Sequence, residues 1–342
     1  MIMSDETVHW AGRILALHAQ TPLHPGSGTA LGTVDLPIQR ERHNRWPTIP
    51  GSALKGILRD VCRDFLSQQS DLLDRDRWDD KSDANAESRA LLRSGKGNEK
   101  VSKKTLANAT MDLNALFGPP TEGAGEFAGA LSVTDARLLA FPVRSAKGVF
   151  AWVSCYAALE RLQRDIRLAG HEAAWKINEI GDGRCACAAD SPCLGAGEVA
   201  LLEEFDFKRD GQIDIADVAQ WISAHLLRSE FTAMTARFPR HFLVLPDDDF
   251  THFVRHATEV TARIALDYDT KTVKQGALFY QEFLPAESLL YSVVLANPAR
   301  NQRQSKSALN VLADLGNWLT RDILQIGGDE STGKGLCAVR LV

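Results

Sequence analysis

Side chains able to do acid–base or metal chemistry cluster between Thr21 and Arg59, in TPLHPGSGTALGTVDLPIQRERHNRWPTIPGSALKGILR. His24 offers an imidazole, Asp35 a carboxylate, and Arg40, Glu41, Arg42 and His43 a dense charge group. A carboxylate near an imidazole suits proton transfer or metal ligation, and guanidinium groups beside them suit an anionic substrate. Further on, Lys55, Arg59 and Arg63 stand four residues apart, and GDESTGKG at Gly328–Gly335 places Lys334 in a glycine-rich turn.

A loop carries the first group. Between Thr21 and Gly56 there are five glycines and five prolines, too many for a long regular strand or helix. Loops of this length inside compact domains are functional or disordered, and this one is rich in reactive groups. Before it, Arg13–Gln20 alternates as a strand does. After it, Pro50-Gly51-Ser52 reads as a helix start with Ser52 as N-cap. Leu54, Ile57, Leu58, Val61 and Phe65 then recur on one helical face, with the three cations on another. A lysine in a first turn opposes the helix dipole unless an anion joins it. On spacing alone a solvated basic stripe is the simpler account of these cations.

The 342 residues carry a net charge of −5, with 44% hydrophobic and 24% charged residues. That composition is ordinary for a globular protein. The negative balance argues against nucleic-acid binding as a bulk property but permits a basic track from Gln39 to Arg63. The N-terminal residues carry no signal-peptide pattern, and no apolar run approaches a membrane span. Six cysteines without a secretion signal read as reduced thiols. The expectation is a cytoplasmic protein that does not engage membranes.

Beyond the first helix, residues 66–106 form a polar segment poor in apolar residues, and 171–215 is irregular. Leu131–Thr134, Leu138–Val143 and Val149–Val153 read as strands, followed by a helix over Ser154–Leu168. Further helices are expected at Ile215–Arg228 and from Asp247 through Val254 to Ala257, with a strand at His241–Leu245. Val260–Leu266 and Ala277–Phe283 read as two strands around a polar tip, Asp267–Gly276, that holds Lys271 and Lys274. Leu309, Leu312, Leu315, Leu319, Ile323 and Ile326 describe a final amphipathic helix stopping at Gly327-Gly328. A terminal strand follows.

Three motif-like patterns carry less than their shapes suggest. Cys185, Cys187 and Cys193 make C-x-C-x5-C; with His171 or Asp182 they could hold zinc, but structural zinc sites favour C-x2-C pairs, and free thiols are the simpler reading. Asp206–Asp217 mimics a calcium loop, with Lys208 where an oxygen ligand belongs and Asp217 where a bidentate Glu belongs. A turn entering a helix explains the same residues. Gly328–Lys334 fits the first seven positions of a phosphate-binding Walker loop, yet Gly335 replaces the metal-binding Ser or Thr, and a strand-like tail replaces the helix.

HPGSGTALGTVDLPIQRERH with IPGSALKG, FAGALSVTDARLLAFPVRSAKGVFAWV at Phe127–Val153, and IGGDESTGKG at Ile326–Gly335 together resemble the RAMP proteins of CRISPR effector complexes. The match falls on the repeated backbone subunit of the type III-B, or Cmr, complex. It implies an α+β fold: a ferredoxin-like (RRM-like) βαββαβ core with large insertions and a projecting β-hairpin thumb, for which 260–285 is the candidate. The chain, 1–342, is then one RAMP/RRM-like domain. The resemblance implies guide-RNA binding along Ser52, Lys55, Arg59, Arg40, Arg42, Gly327, Gly328, Lys334, Lys271 and Lys274. It also implies cleavage of complementary target RNA, with Asp35 matching the aspartate that family members require. The implied partners are CRISPR guide RNA, target RNA, copies of itself in a helical filament and other effector subunits. The nucleophile is the RNA's own 2′-hydroxyl. Because a carboxylate is a weak base at neutral pH, Asp35 suits holding a divalent metal, Mg or Mn, or orienting that hydroxyl; no organic cofactor is called for. His24 is either a proton donor or a brace for the loop. A non-catalytic RNA scaffold and a nucleotide-binding protein are the competing readings.

Overall fold

The computed structural model describes residues 10–29, 33–69, 112–119, 127–300 and 306–342. Most of the polar segment expected at 66–106 lies outside them. The chain divides into two compact units. One comprises Met1–Arg13, Gly51–Thr134 and Val294–Arg321; the other comprises Ile14–Pro50, Asp135–Val293 and Asp322–Val342.

The larger unit is built on a mixed sheet. Its strands are β1 (Ala11–Ala19), β2 (Thr48–Ile49), β4 (Ala136–Arg144), β5 (Phe150–Cys155), β6 (Arg184–Cys187), β7 (Val199–Leu202), β8 (Phe205–Arg209), β9 (Phe242–Leu245), β12 (Leu289–Ala296), β13 (Ile323–Gln325) and β14 (Leu336–Leu341); β3 (Leu131–Val133) belongs to the smaller unit. The order is β13-β14-β1-β12-β4-β5-β9-β6-β8-β7, with β2 beside β4. Most neighbours run antiparallel; β5–β9 and β6–β8 are parallel. β1 is buried along nearly its whole length, as a central strand covered on both faces must be. A separate antiparallel hairpin pairs β10 (Glu259–Leu266) with β11 (Val273–Phe283). Among the described residues, Trp152, Tyr291, Phe141, Phe238, Phe242, Phe250 and Phe283 are the larger unit's largest fully buried side chains. Helices at Tyr156–Leu168, Ala216–Leu226, Thr232–His241 and Asp247–His256 connect the strands.

In the smaller unit, helix α1 (Gly51–Gln69) starts two residues earlier than Ser52 as N-cap would set it, so Ser52 lies inside its first turn and is not the cap. Its first residue packs closely: a Cβ on Gly51 would sit 2.3 Å from the Val133 carbonyl oxygen, so only glycine fits there. β3 pairs with the Val294–Ala296 end of β12. Lys306 joins Asp112 and Asp314 beside the last helix, Ala308–Trp318.

Two expectations are corrected here. The final helix stops at Trp318; Ile323–Gln325 is a strand on β14, with Leu324 and Ile326 buried and Ile323 exposed. A period-two edge strand won over the helical spacing because β14 offers unpaired backbone groups. The region 171–215 is less irregular than its sequence suggests, since it holds β6, β7 and β8. Asp206 of the calcium-like pattern stands in β8, and Asp210 and Asp214 accept the amides of Gln212 and Ala216 in the turn before a helix. All six cysteines are free and buried.

Candidate cleavage site and nucleic-acid interface

Three pieces of the larger unit meet around the buried ring of Phe283: the arm 21–50, the hairpin β10–β11 and the turn after β13. The arm lies along the edge of β11. Leu23 exchanges both backbone hydrogen bonds with Leu284, at 2.8 Å each. Asp35 and Leu36 donate to the Tyr280 carbonyl at 3.1 and 3.0 Å, and Glu282 donates to the Leu36 carbonyl at 3.0 Å. The arm folds on itself where Gln39 donates to Pro25 at 2.7 Å. A glycine- and proline-rich segment thus gains a fixed path by borrowing an edge strand's unpaired groups.

Asp35 is half-buried. Its Oδ2 accepts the Tyr280 amide at 2.7 Å, and its Oδ1 accepts no hydrogen bond among the described residues. The backbone therefore aims the carboxylate and leaves one oxygen for a ligand.

Glu282 is the hub that sequence reading missed. It is buried, and its Oε2 accepts the Ile38 amide at 3.0 Å. Its Oε1 accepts Arg40 Nη2 at 2.5 Å and Thr258 Oγ1 at 2.8 Å. Its carbonyl accepts His24 Nδ1 at 2.7 Å. Arg40 also donates through Nη1 to the Arg45 and Val254 carbonyls at 2.8 and 2.9 Å. Its side chain is 11% exposed, so Arg40 braces the arm. Glu41 is likewise spoken for, accepting Arg161 at 2.6 Å while Arg161 lies over Trp46. Arg42 is exposed.

The glycine-rich turn backs onto His24. Gly328 donates to the His24 carbonyl at 3.0 Å, and Gly335 donates to Pro22 at 2.9 Å. Gly327 has a φ of +82°, and a Cβ there would lie 2.4 Å from the His24 carbonyl oxygen; only glycine fits. Asp329 ties the turn to the hairpin by accepting Arg263 Nη1 at 2.9 Å and Gln281 Nε2 at 2.6 Å. The amides of Thr332 and Lys334 donate to the Asp329 carbonyl, and that of Gly333 to Glu330. These three amides close the turn on itself, so it is not the open phosphate cradle of a Walker loop. Lys334 Nζ stands 5.1 Å from the centre of the Phe283 ring.

At the hairpin's far end Lys271 and Lys274 are exposed, with Lys271 over the Tyr268 ring at 4.2 Å. Val260, Ile264, Leu278 and Tyr280 present an exposed apolar face. In the smaller unit, Ser52 is exposed, Lys55 Nζ donates to the Leu131 carbonyl at 2.9 Å, and Arg59 reaches Asn114 at 3.3 Å. Burial, and then the charge of Arg59, lowers the Lys55 pKa; an arriving anion would relieve both effects.

Among the described residues no group of three or more His, Cys, Asp or Glu side chains is placed to hold a metal ion, Cys185, Cys187 and Cys193 included. Asp35 Oδ1 offers a single carboxylate oxygen. That donor set fits a Mg-type ion that keeps waters and shares substrate phosphates, and it does not make an all-protein cage.

Residues 16–338 of this chain match the RAMP superfamily model, and the chain belongs to that family. It is 34% identical over 329 residues to the CRISPR system Cmr endoribonuclease Cmr4 of Pyrococcus furiosus, covering 96% of this chain and 95% of that protein. It is 23% identical to the CRISPR system CMR subunit Cmr4 of Saccharolobus solfataricus, over 95% and 94% of the two chains. The crystal structure of oligomeric Cmr4 from P. furiosus superposes with a TM-score of 0.63 at 27% identity, covering 96% of this chain and 97% of that one. A subunit in the cryo-EM structure of type III-B Cmr-beta bound to cognate target RNA shares the fold, with a TM-score of 0.64, 19% identity and 98% of each chain covered. Among the described residues no helix is long and apolar enough to cross a membrane.

Proposed function

We propose that this chain is a guide-RNA-binding backbone subunit of a type III-B CRISPR ribonucleoprotein and an endoribonuclease that cuts complementary target RNA. The observation that carries the reading is near-full-length likeness to a Cmr endoribonuclease, joined to a carboxylate held on a rigid arm with one oxygen open. Its setting is a cytoplasmic complex that contains further copies of the chain in a helical filament, other effector subunits, guide RNA and target RNA.

The strand order supports a ferredoxin-like core. β14-β1-β12-β4 is the 4-1-3-2 order of a βαββαβ fold, with α1 in sequence between β1 and β4 and the Ala308–Trp318 helix between β12 and β14. The β10–β11 hairpin is the thumb, entering the paired guide and target with its apolar face while Lys271 and Lys274 meet phosphates. Lys55, Arg59, Ser52 and Arg42 hold backbone phosphates, as does the ammonium of Lys334 beside Gly327 and Gly328. Arg40 keeps the arm in shape.

In the reaction Asp35 orients the target's 2′-hydroxyl, or holds a divalent ion that does so, through Oδ1. A bound Mg or Mn ion would stabilise the negative charge that develops on the phosphate. The hydroxyl attacks in line once the thumb has displaced a nucleotide. Asp35→Ala should leave assembly and target binding intact and slow cutting roughly a hundredfold or more; EDTA, or a 2′-deoxy residue at the cut position, should stop it. A variant that cuts at the parent rate would leave the non-catalytic scaffold as the reading. ATP hydrolysis that is lost on changing Lys334 would support the nucleotide-binding one.

A further inference from the structure

We infer that Asp329 is a positioning residue for target cutting: its carboxylate fixes the β10–β11 hairpin to the glycine-rich turn and so holds the Tyr280 backbone that aims Asp35. The inference rests on the cleavage reading above and adds a residue far from the arm on which that cleavage depends.

The turn itself has no use for this side chain. It closes on backbone carbonyls: Thr332 N and Lys334 N donate to the Asp329 carbonyl at 3.0 and 3.2 Å, and Gly333 N donates to that of Glu330 at 2.9 Å. The Asp329 carboxylate accepts none of these amides. Among the described residues its hydrogen bonds go to the hairpin, one to each strand. Oδ1 accepts Arg263 Nη1 of β10 at 2.9 Å, and Oδ2 accepts Gln281 Nε2 of β11 at 2.6 Å.

The backbone is strained to keep that side chain in place. Four residues of the turn have positive φ: Gly327 at +82°, Asp329 at +65°, Gly333 at +74° and Gly335 at +76°. Three of them are glycine, which adopts this conformation freely. The fourth is an aspartate, which enters the left-handed region at a cost. A glycine at 329 would suit the turn better, so the carboxylate is there for what it grips.

What it grips adjoins the cutting carboxylate. Gln281 is 4% exposed and stands in β11 between Tyr280 and Glu282. Tyr280 N donates to Asp35 Oδ2 at 2.7 Å. The Tyr280 carbonyl accepts Asp35 N at 3.1 Å and Leu36 N at 3.0 Å, and Glu282 N donates to the Leu36 carbonyl at 3.0 Å. One covalent step therefore separates the residue held by Asp329 from the peptide groups that aim Asp35. Arg263 is paired with Phe279 across the hairpin, so the two grips of Asp329 fall on either side of Tyr280. A misplacement of about 1 Å at a reacting group costs roughly a hundredfold in rate, and loosening Tyr280 moves the Asp35 oxygens on that scale.

The test uses the assembled guide-loaded complex under single turnover, with target from limiting to saturating. Asp329→Gly removes the carboxylate and relieves the backbone. It should lower the rate at saturating target roughly ten- to a hundredfold, with target affinity and guide loading unchanged. Hydrogen exchange of the Asp35, Leu36 and Tyr280 amides should quicken. Asp329→Asn tolerates the same φ, accepts Arg263 through Oδ1 and donates to Gln281 once that amide turns over; it should recover most of the rate. In an Asp35→Ala background Asp329→Gly should slow cutting no further, because the group it positions is gone. Parent-rate cutting by Asp329→Gly overturns the inference, as does unchanged exchange of those three amides. A deficit that lies in target affinity, or one that persists undiminished beside Asp35→Ala, also overturns it and makes Asp329 an RNA contact or a brace of the turn. If Asp329→Gly fails to assemble, Gln281→Met, which keeps the ion pair to Arg263, decides by the same criteria. Asp35→Ala alone reports separately: if it cuts normally, the cleavage reading itself has failed.

Discussion

Replacing Arg40 with Met tests whether the arm is held by an internal ion pair. Arg40 Nη2 and Glu282 Oε1 lie 2.5 Å apart, with side chains 11% and 8% exposed. Removing one member of a buried pair leaves the other charge uncompensated, at a cost of about 3 kcal/mol. Glu282 keeps Thr258 and the Ile38 amide, which holds the cost at that lower figure. For a unit of this size each kcal/mol moves the melting point by about 2–4 °C, so the isolated chain should melt about 6–12 °C lower. Hydrogen exchange should quicken along 24–40, the residues pinned by Glu282. Adding Glu282→Gln removes the stranded charge and keeps the shape, so the double variant should recover at least about half of the loss. If Arg40 instead met phosphate, its loss would lower the slope of log affinity against log salt by about 0.7–0.9; here the slope should not move. A single variant melting within about 2 °C of the parent, or a double variant melting below the single one, would refute the reasoning.

Further outcomes follow from the same contacts. Gly335→Ala places a Cβ 2.2 Å from the Ile326 carbonyl oxygen at a φ of +76° and should cost at least about 3 kcal/mol in urea unfolding, whereas Gly333→Ala, at +74° with open space around it, should cost about 1 kcal/mol. Burial, and then the charge of Arg59, holds the Lys55 pKa below the ordinary lysine value of 10.5, so the folded chain binds fewer protons than the unfolded one just under that pH and stability rises with pH there; Lys55→Met should flatten the rise. Phosphate arriving beside Lys55 should restore its proton, so titration calorimetry in two buffers should show proton uptake on RNA binding at alkaline pH that Lys55→Met abolishes. Lys271→Ala with Lys274→Ala should weaken target binding and reduce its salt slope by about 1–2.

Much of the frame was legible because periodicity reports burial. β1, α1, the β10–β11 pair and β14 all announce themselves by alternating or helical spacing. The hidden parts share a physical cause. β6 to β8 are only four or five residues long, so even the Phe205–Phe207 alternation in β8 is too brief to mark a strand. Ile323 and Ile326 suit a helix stripe as well as a strand, and only the free edge of β14 decides. Arg40 looks like any solvent-facing cation until Glu282, 242 positions away, closes on it. Glu282 itself sits in a hairpin whose neighbours, Tyr280 and Leu278, are exposed, and nothing local separates it from them. Asp35 and His24 could be named as reactive, but which oxygen and which nitrogen stay available is set by Tyr280 and by the carbonyl of Glu282, contacts between distant segments.

The arm's attachment to β11 has a mechanical corollary. Asp35 hangs from Tyr280 by both its amide and its carboxylate, so the distance from the hairpin to the reactive oxygen is set by bonded backbone and cannot drift. Under the function proposed above, a hairpin that wedges into RNA would choose the scissile phosphate with it, the chain acting as a caliper whose jaws are two neighbouring strands.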